Sequence, residues 1–456
     1  MTNRDSSDMT NRDVYEMFYL KDVTLLLLVA FLVRVGYALF FVEPEYLLTE
    51  DQGFYAQLAQ DLPNNDIFGL MPERAPGYPL FIAAIYILMG EGVWNVILIQ
   101  ILLDSISCVM IALTAQSLFN KGFWIAGVLS AINLNMIILS ASLLTDTLFL
   151  FLFILYLFSL VKYLQIGNKK WFFLLVLFIS LATLVRAASY YLLPILLVGL
   201  VSWKLHQRNP VSEIVKLFFL YLVVVGTLLG SIHYSNYQQH GSLAFVSQTG
   251  NAVLKWVVPA TYQYSGMGSY QDGQKLANKR LDLALQQGQL LELPLNPFES
   301  SLYQANVGKD ILFEFGFLNV LKAWAVGSVI NLLAPSVAHA PALRAIDHPS
   351  FYETEGNGII EKLFNYIKNS SGFLYLSILA VGTIISIIFT MFALAGIFKM
   401  ILALPPITIT TLLLLVGYFL TITGPIIGVK YRLPIEPILT LFVTYFLNKI
   451  DRKKPH

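Results

Sequence analysis

Charge is scarce in this chain. Asp, Glu, Lys and Arg make up 12% of its 456 residues, against 57% hydrophobic, where a soluble domain carries roughly a quarter charged residues. Cysteine is nearly missing too. Cys108 stands alone, so no disulfide closes within the chain and the redox compartment goes unread. With a formal net charge of +1, nothing points to nucleic acid or to a bulk acidic partner. The sequence also lacks a P-loop, a dinucleotide fingerprint, an HExxH and a Cys/His metal cluster. ATP and nucleotide sugars are therefore unsupported as direct substrates.

What the chain does have is apolar runs, several exceeding the roughly 18 residues that read as membrane spans. This composition predicts an all-α polytopic membrane protein. The polar N-terminus repeats "MTNRD" from Met1 and Met9 and lacks the basic start and small-residue cleavage site of a secretory signal. The next run, Val23–Val42, is too long for a signal core and is expected to be a retained span. Further candidate spans are Trp94–Leu118, Phe123–Leu139, Leu143–Val161, Trp171–Val185, Tyr190–Trp203, Glu213–Tyr234, Phe373–Phe398, Ile407–Thr423 and Leu433–Leu447. Lysines and arginines mark one side. Lys121, then Lys162, Lys169 and Lys170, then Lys204, Arg208 and Lys216 fall in alternate short loops, with Lys399 and the tail "NKIDRKKPH" on the same side. The positive-inside rule makes that side cytoplasmic, with both termini there and an even span count. Two shorter runs, Tyr78–Met89 and Leu318–Leu333, are then expected to be interfacial helices.

The resulting division is a cytoplasmic tail (1–22), an N-terminal membrane module (23–235) with a first outer loop (43–92), a large outer loop (236–372), C-terminal spans (373–448) and a cytoplasmic tail (449–456). The large loop is rich in Tyr, Gln, Asn, Ser and Gly, with an amphipathic helix expected near Gln274–Gln287. A connection of this length is normally functional or mobile. Aromatic faces beside amides suit sugar rings, and equally suit any membrane-surface loop.

Within the first outer loop lies "LLTEDQGFYAQLAQDL". Thr49 and Gln52 form a capping box that starts a helix at Glu50. Phe54, Leu58 and Leu62 recur on one face, with Tyr55 and Ala59 beside them, as in a surface-lying helix. Asp51 falls in the first turn, where the helix dipole favours negative charge. Glu50 and Asp51 then either merely complement that dipole or place a carboxylate at a reacting centre. Downstream, "MPERAPGYPLF" holds Glu73 and Arg74 at a turn stiffened by Pro72, Pro76 and Pro79. Its plain reading is a solvated loop with an ordinary ion pair.

Asp146, in "SLLTDTLFLFLF", opens an apolar span, where an ionisable residue is costly and points to function. Arg186, in "LVRAASYY", sits at the outer end of the next upward span. Arg34 lies inside the first span, where it either snorkels or pairs with a carboxylate. The closing "GPIIGVKYRLPIEP" puts Lys430, Tyr431 and Arg432 on the outer side, against the prevailing charge trend. Cations at that address invite an anion such as a lipid phosphate. His233, His240, His339 and His348 are dispersed through the outer regions and read as ordinary polar residues.

In this order and placement, Asp51, "ERAPGYPLF", Asp146, "LVRAASY", "SQTGNAVLKW" and "KYRLPIEP" resemble the GT-C glycosyltransferases. That class includes the protein O-mannosyltransferases and the lipid A aminoarabinose transferases. The resemblance covers nearly the whole chain. It implies a GT-C-type fold with about 10–12 transmembrane helices, interfacial helices and two large non-cytoplasmic loops. It implies transfer of a sugar, usually with inversion, from a polyprenyl-phosphate donor to a lipid, glycan or protein acceptor on the non-cytoplasmic face, placed in a bacterial inner membrane. By the same resemblance Asp51, Asp146 and Glu73 are candidate catalytic residues, with Asp51 the general base or acceptor guide. Arg74, Arg432, Lys430 and Arg186 are candidate ligands of the donor phosphate. The resemblance leaves a divalent metal between the carboxylates open, and it implies membrane lipids as partners and no nucleic acid. The turn reads Glu-Arg-Ala-Pro where the aminoarabinose transferases have Glu-Lys-Pro-Pro, so their acceptor does not carry over. The rival readings are a transporter or flippase of lipid-linked glycans and a non-catalytic assembly subunit. Against the transporter stands the lack of a repeat between the halves.

Overall fold

A computed structural model describes residues 11–43, 48, 51–62, 72–346, 348–351, 353–370 and 372–448, with side chains from Leu20 onward. Thr49 and Glu50, and with them the capping box, lie outside the described residues, as does most of each terminal tail. Helix α1 (Asn11–Phe41) leads into two short helices, α2 (Asp51–Asp61) and α3 (Gly77–Met89), which pack on each other. Then follow α4 (Val93–Phe119), α5 (Phe123–Ala131), α6 (Leu134–Ser140), α7 (Thr145–Ile166), α8 (Lys169–Val185), α9 (Leu192–His206) and α10 (Val211–His240). The polar interval also folds into helices: α11 (Thr249–Ala252), α12 (Val258–Ser265), α13 (Tyr270–Gln287), α14 (Pro297–Phe315), α15 (Phe317–Leu333), α16 (Pro341–Arg344) and α17 (Ile359–Asn369). The chain closes with α18 (Phe373–Ile401), α19 (Pro406–Thr423) and α20 (Glu436–Leu447). Among the described residues there is no strand.

Seven helices are long and apolar enough to cross a membrane, or up to nine if two bent pairs each count as one span. Three of the ten expected spans are not among the seven: Trp171–Val185 forms the 17-residue α8, and two more are corrected. The run Phe123–Leu139 is broken: α5 and α6 meet at 53°. The run Leu433–Leu447 yields only the 12-residue α20, about 18 Å long, well short of a hydrocarbon core of about 30 Å. Its residues Glu436 to Tyr445 are all buried, so α20 is a core helix held against α18, α4 and α5. The reason is the run of prolines at Pro434 and Pro437, which turns its first third into tight 3-10 turns.

The broken span explains Arg34. Ending α5 at Ala131 strips its last carbonyls of helical partners. Arg34 supplies donors from α1, giving N–H bonds to the carbonyls of Ser130 (3.3 Å) and Ala131 (3.2 Å). Asn133 restarts the chain by capping α6, its side chain accepting from the Met136 N–H at 3.1 Å. The guanidinium also meets Asp104 of α4 at 2.5 Å and the Cys108 thiol at 3.1 Å, all fully buried. Arg34 therefore pairs rather than snorkels. Asp104 is the partner that the sequence reading did not name.

The short helix α2 buries Tyr55, Ala56, Ala59 and Leu62, while Phe54 faces outward. Of the expected face, Tyr55, Ala59 and Leu62 are buried and Leu58 packs against the core, and only Phe54 departs from it; Tyr55 meets Tyr78 of α3 edge-on at 5.1 Å. Helix α13 spans the expected amphipathic segment, opened by a Ser269–Asp272 capping box. The run Leu318–Leu333 forms α15, bent by 104° from α14.

Candidate active site

One large cavity, about 2250 Å³, separates the bundle from the helices of the polar interval. Its lining is mixed. Leu376, Leu379 and Ile384 of α18 with Phe419 and Ile422 of α19 contribute apolar surface, and Asp51, Glu73, Arg74, Asp146, Arg186 and Lys430 line the same cavity. Six of the seven residues singled out from the sequence are brought together there.

They are held by a frame of hydrogen bonds. Gln52, next to Asp51, accepts the Leu143 N–H at 2.8 Å, tying α2 to the loop that opens α7. The Ser247 N–H donates to the Pro72 carbonyl at 2.6 Å, fixing the turn that carries Glu73 and Arg74. The Tyr418 hydroxyl donates to the Ala188 carbonyl at 2.6 Å, beside Arg186. Gly77 begins α3 so close to α8 that a Cβ there would lie 2.7 Å from the Leu184 carbonyl. Any larger residue would push the two walls apart.

Charge is arranged as two arginine–carboxylate pairs. Arg74 meets Asp51 at 3.3 Å, with the Asp51 side chain half exposed. Arg186, at the end of α8, is paired with Asp146 in the first turn of α7, and that carboxylate is buried. Tyr55 lies within the field of both pairs, and its burial pushes the phenol up to about 12. The Arg74 Nε is buried without a hydrogen-bond partner, so this guanidinium retains a donor for an incoming acceptor.

Beyond the pairs are further cations. Lys430 sits on a 3-10 turn, Val429–Tyr431, with its ammonium 5.8 Å from the Tyr431 ring. The same ring lies 5.9 Å from the Arg186 guanidinium. His339, Arg344 and His348 also line the cavity. Burial, with Lys430 adding, pushes His339 down to about 4, so its imidazole is neutral near pH 7. The sequence reading passed over Arg344. The signal was there: it is a cation in a region expected outside, the criterion that singled out Lys430.

The structure does not bring Arg432 to the cavity. Its Nε lies 2.8 Å from Glu436, one helical turn on, and its Nη1 donates to the Leu332 carbonyl at 2.8 Å. Asn133 donates to the other Glu436 oxygen at 3.1 Å. Arg432 is thus a buried tie between the closing loop, α15 and the broken span. Among the described residues no three His, Cys, Asp or Glu side chains converge as metal ligands. Asp51 and Asp146 each face an arginine instead, so this donor set does not fit a divalent ion.

Among curated protein sequences none matches the chain. Among solved structures it is similar to ArnT from Cupriavidus metallidurans. The apo crystal structure is 12% identical at a TM-score of 0.40, covering 95% of this chain and 77% of that one. The crystal structure bound to undecaprenyl phosphate is 13% identical at 0.40, covering 94% and 76%. Residues 73–229 match the family described as dolichyl-phosphate-mannose-protein mannosyltransferase. That segment includes Glu73, Arg74, Asp146 and Arg186.

Proposed function

We propose that this protein moves a sugar from a polyprenyl-phosphate donor to an acceptor hydroxyl on the non-cytoplasmic face of the membrane. One observation carries the reading: a single cavity is lined both by apolar residues of membrane-crossing helices and by two arginine–carboxylate pairs with further cations. An amphiphile with a long apolar tail and a phosphate head matches that mixed lining. The family matched by residues 73–229 is named for a dolichyl-phosphate sugar, which supports the same class of donor.

The chemistry follows from the charges. The acceptor oxygen attacks the anomeric carbon while the bond from that carbon to the phosphate oxygen breaks, and the phosphate leaves with the electron pair. Cations must meet the charge growing on that oxygen. Arg74, Arg186 and Lys430 are the groups we assign to it, with Arg344 beside them. Asp51 takes the hydroxyl proton as general base. A donor phosphate that draws Arg74 to itself also frees the Asp51 carboxylate, so donor binding prepares the base. Asp146 acts on Arg186 by orienting it. Lipid, glycan and protein hydroxyls all satisfy this scheme as acceptors.

The test is purified protein in lipid nanodiscs, given polyprenyl-phosphate sugars carrying a labelled sugar. The expected result is release of polyprenyl phosphate with the label on an acceptor or in water. Binding of the donor without cleavage, across a panel of sugars and acceptors, would overturn the reading in favour of a lipid-glycan carrier.

A further inference from the structure

Helix α17 has one face docked on the protein and one face with nothing on it. On the docked face Lys362 is fully buried and donates to the Gln263 amide oxygen at 2.7 Å. The Tyr366 and Tyr375 hydroxyls meet at 2.5 Å, and Asn365 donates to the Glu355 carbonyl at 3.0 Å. The opposite face presents Ile360, 83% exposed, and Phe364, 66% exposed, with Leu363 and Ile367 beside them. Four large apolar side chains over two turns form a stripe that water disfavours.

The neighbouring helix says what covers that stripe. Helix α18 begins four residues beyond Asn369 and carries no charge from Phe373 to Phe398. Its 29 residues measure about 43 Å at 1.5 Å each, more than a hydrocarbon core of about 30 Å. Its Phe373 end, with Phe373 itself 89% exposed, therefore reaches the headgroup layer. The three-residue link holds Asn369 within about 14 Å of Phe373, so the Asn369 end of α17 lies near that same depth. Leu363 and Ile367 of α17, and Leu376, Leu379 and Ala380 of α18, line the cavity, and Leu363 and Ile367 are exposed.

We propose that α17 lies in the lipid headgroup layer with Ile360 and Phe364 in the acyl boundary. With α18 it frames a side portal through which the isoprenoid chain of the substrate reaches from the bilayer into the cavity. The contact with lipid stands on the geometry alone, whereas the portal rests on the function proposed above.

The experiment separates the two. Spin labels are placed by Phe364→Cys and, on the far side of the helix, by Asn369→Cys, an exposed position, in the full chain, where Cys108 is buried. The protein is reconstituted in phosphatidylcholine vesicles, and label accessibility to oxygen and to a water-soluble nickel chelate is read. The expected result is oxygen access and chelate protection at 364, with the reverse at 369. Chelate access at both positions overturns the lipid contact, and so does spin–spin broadening at 364 from a second copy. For the portal, Ile360→Ala/Phe364→Ala keeps the docked face intact. It should raise KM for a long-chain donor about tenfold, the size of the apolar surface removed, and leave kcat and the KM of a short-chain donor unchanged. Equal shifts for both donors overturn the portal. Inactivity of the unsubstituted protein with every donor overturns the proposed function and leaves the spin-label result standing.

Discussion

Arg186 reaches from the end of α8 to Asp146 in the first turn of α7, forty residues earlier, and the pair forms part of the cavity wall. The carboxylate is buried, and the guanidinium keeps one edge open to the cavity. Removing one partner of such a pair leaves a charge without solvent or counter-ion, a loss of about 3–5 kcal/mol. Arg186→Ala should therefore lower the thermal midpoint of the purified protein sharply as well as abolish transfer. Asp146→Asn/Arg186→Gln should recover most of the midpoint and none of the activity. A wild-type midpoint in Arg186→Ala would show that the pair contributes nothing to the fold.

The intramembrane pair of Arg34 and Asp104 makes a different prediction, because it is remote from the cavity lining. Arg34→Met strands both Asp104 and the Ala131 carbonyl. It should destabilise by about 3–5 kcal/mol. Asp104→Asn should cost less, since that carbonyl keeps its donor. Folded yield and thermal midpoint measure the order, and equal losses in the two variants would count against the capping role of Arg34.

The sequence made the apolar helices legible because span length and charge asymmetry are local signals, and α4, α7, α10, α18 and α19 fall on the expected runs. It misread Leu433–Leu447, because an apolar run with a single charge, Glu436, looks alike whether lipid or protein covers it. The cavity-lining candidates Asp51, Glu73, Arg74, Asp146, Arg186 and Lys430 stood out as charges beside apolar runs. Arg432 stood out equally, yet its partner Glu436 lies one turn away, and a sequence does not reveal which way an arginine turns. Tyr55 and His339 reach the cavity through packing between distant segments, and no local pattern carries that.

Close backbone contact gives a test of the core. A Cβ on Gly396 of α18 would lie 2.0 Å from the Phe442 carbonyl oxygen of α20. Backbone does not move aside as a side-chain tip would, and overpacking of this kind typically costs about 1–3 kcal/mol or more. Gly396→Ala should lower folded yield and midpoint, whereas Gly417→Ala, with open space around it, should leave both unchanged. Equal behaviour of the two would contradict the packing of α18 on α20.

Lys362 predicts a pH dependence. Burial brings its ammonium down from the ordinary 10.5 to about 7. Between those values the unfolded chain holds the proton and the folded one releases it. Stability from this group therefore rises with pH from about 7 towards 10.5 and is flat below that window. Lys362→Met removes the titrating group and leaves the stem packed near Phe351, whose ring lies 4.9 Å from the ammonium. The gap in thermal midpoint between the two proteins should shift in favour of the lysine as pH climbs from 7 to 10. Parallel curves across that range would show that Lys362 titrates normally.

Asp51 and Glu73 line one cavity but differ in their charge partner, and that separates their expected roles. Asp51 faces Arg74 at 3.3 Å with half its side chain open. A pair exposed to this degree stabilises little, within about 1 kcal/mol. Asp51→Asn should accordingly fold as well as wild type and still bind the donor. Loss of a general base costs about 10²–10⁴-fold in rate, so the variant should lose transfer by that factor while the KM for donor stays close to normal. Arg74→Ala should instead raise the KM for donor, since the guanidinium is assigned to its phosphate, and it should spare the midpoint. Glu73→Gln should fall between these, with a smaller loss of rate than Asp51→Asn. Transfer by Asp51→Asn at the wild-type rate would remove Asp51 from the chemistry, and the turn at Glu73 would then be the next place to look for the base.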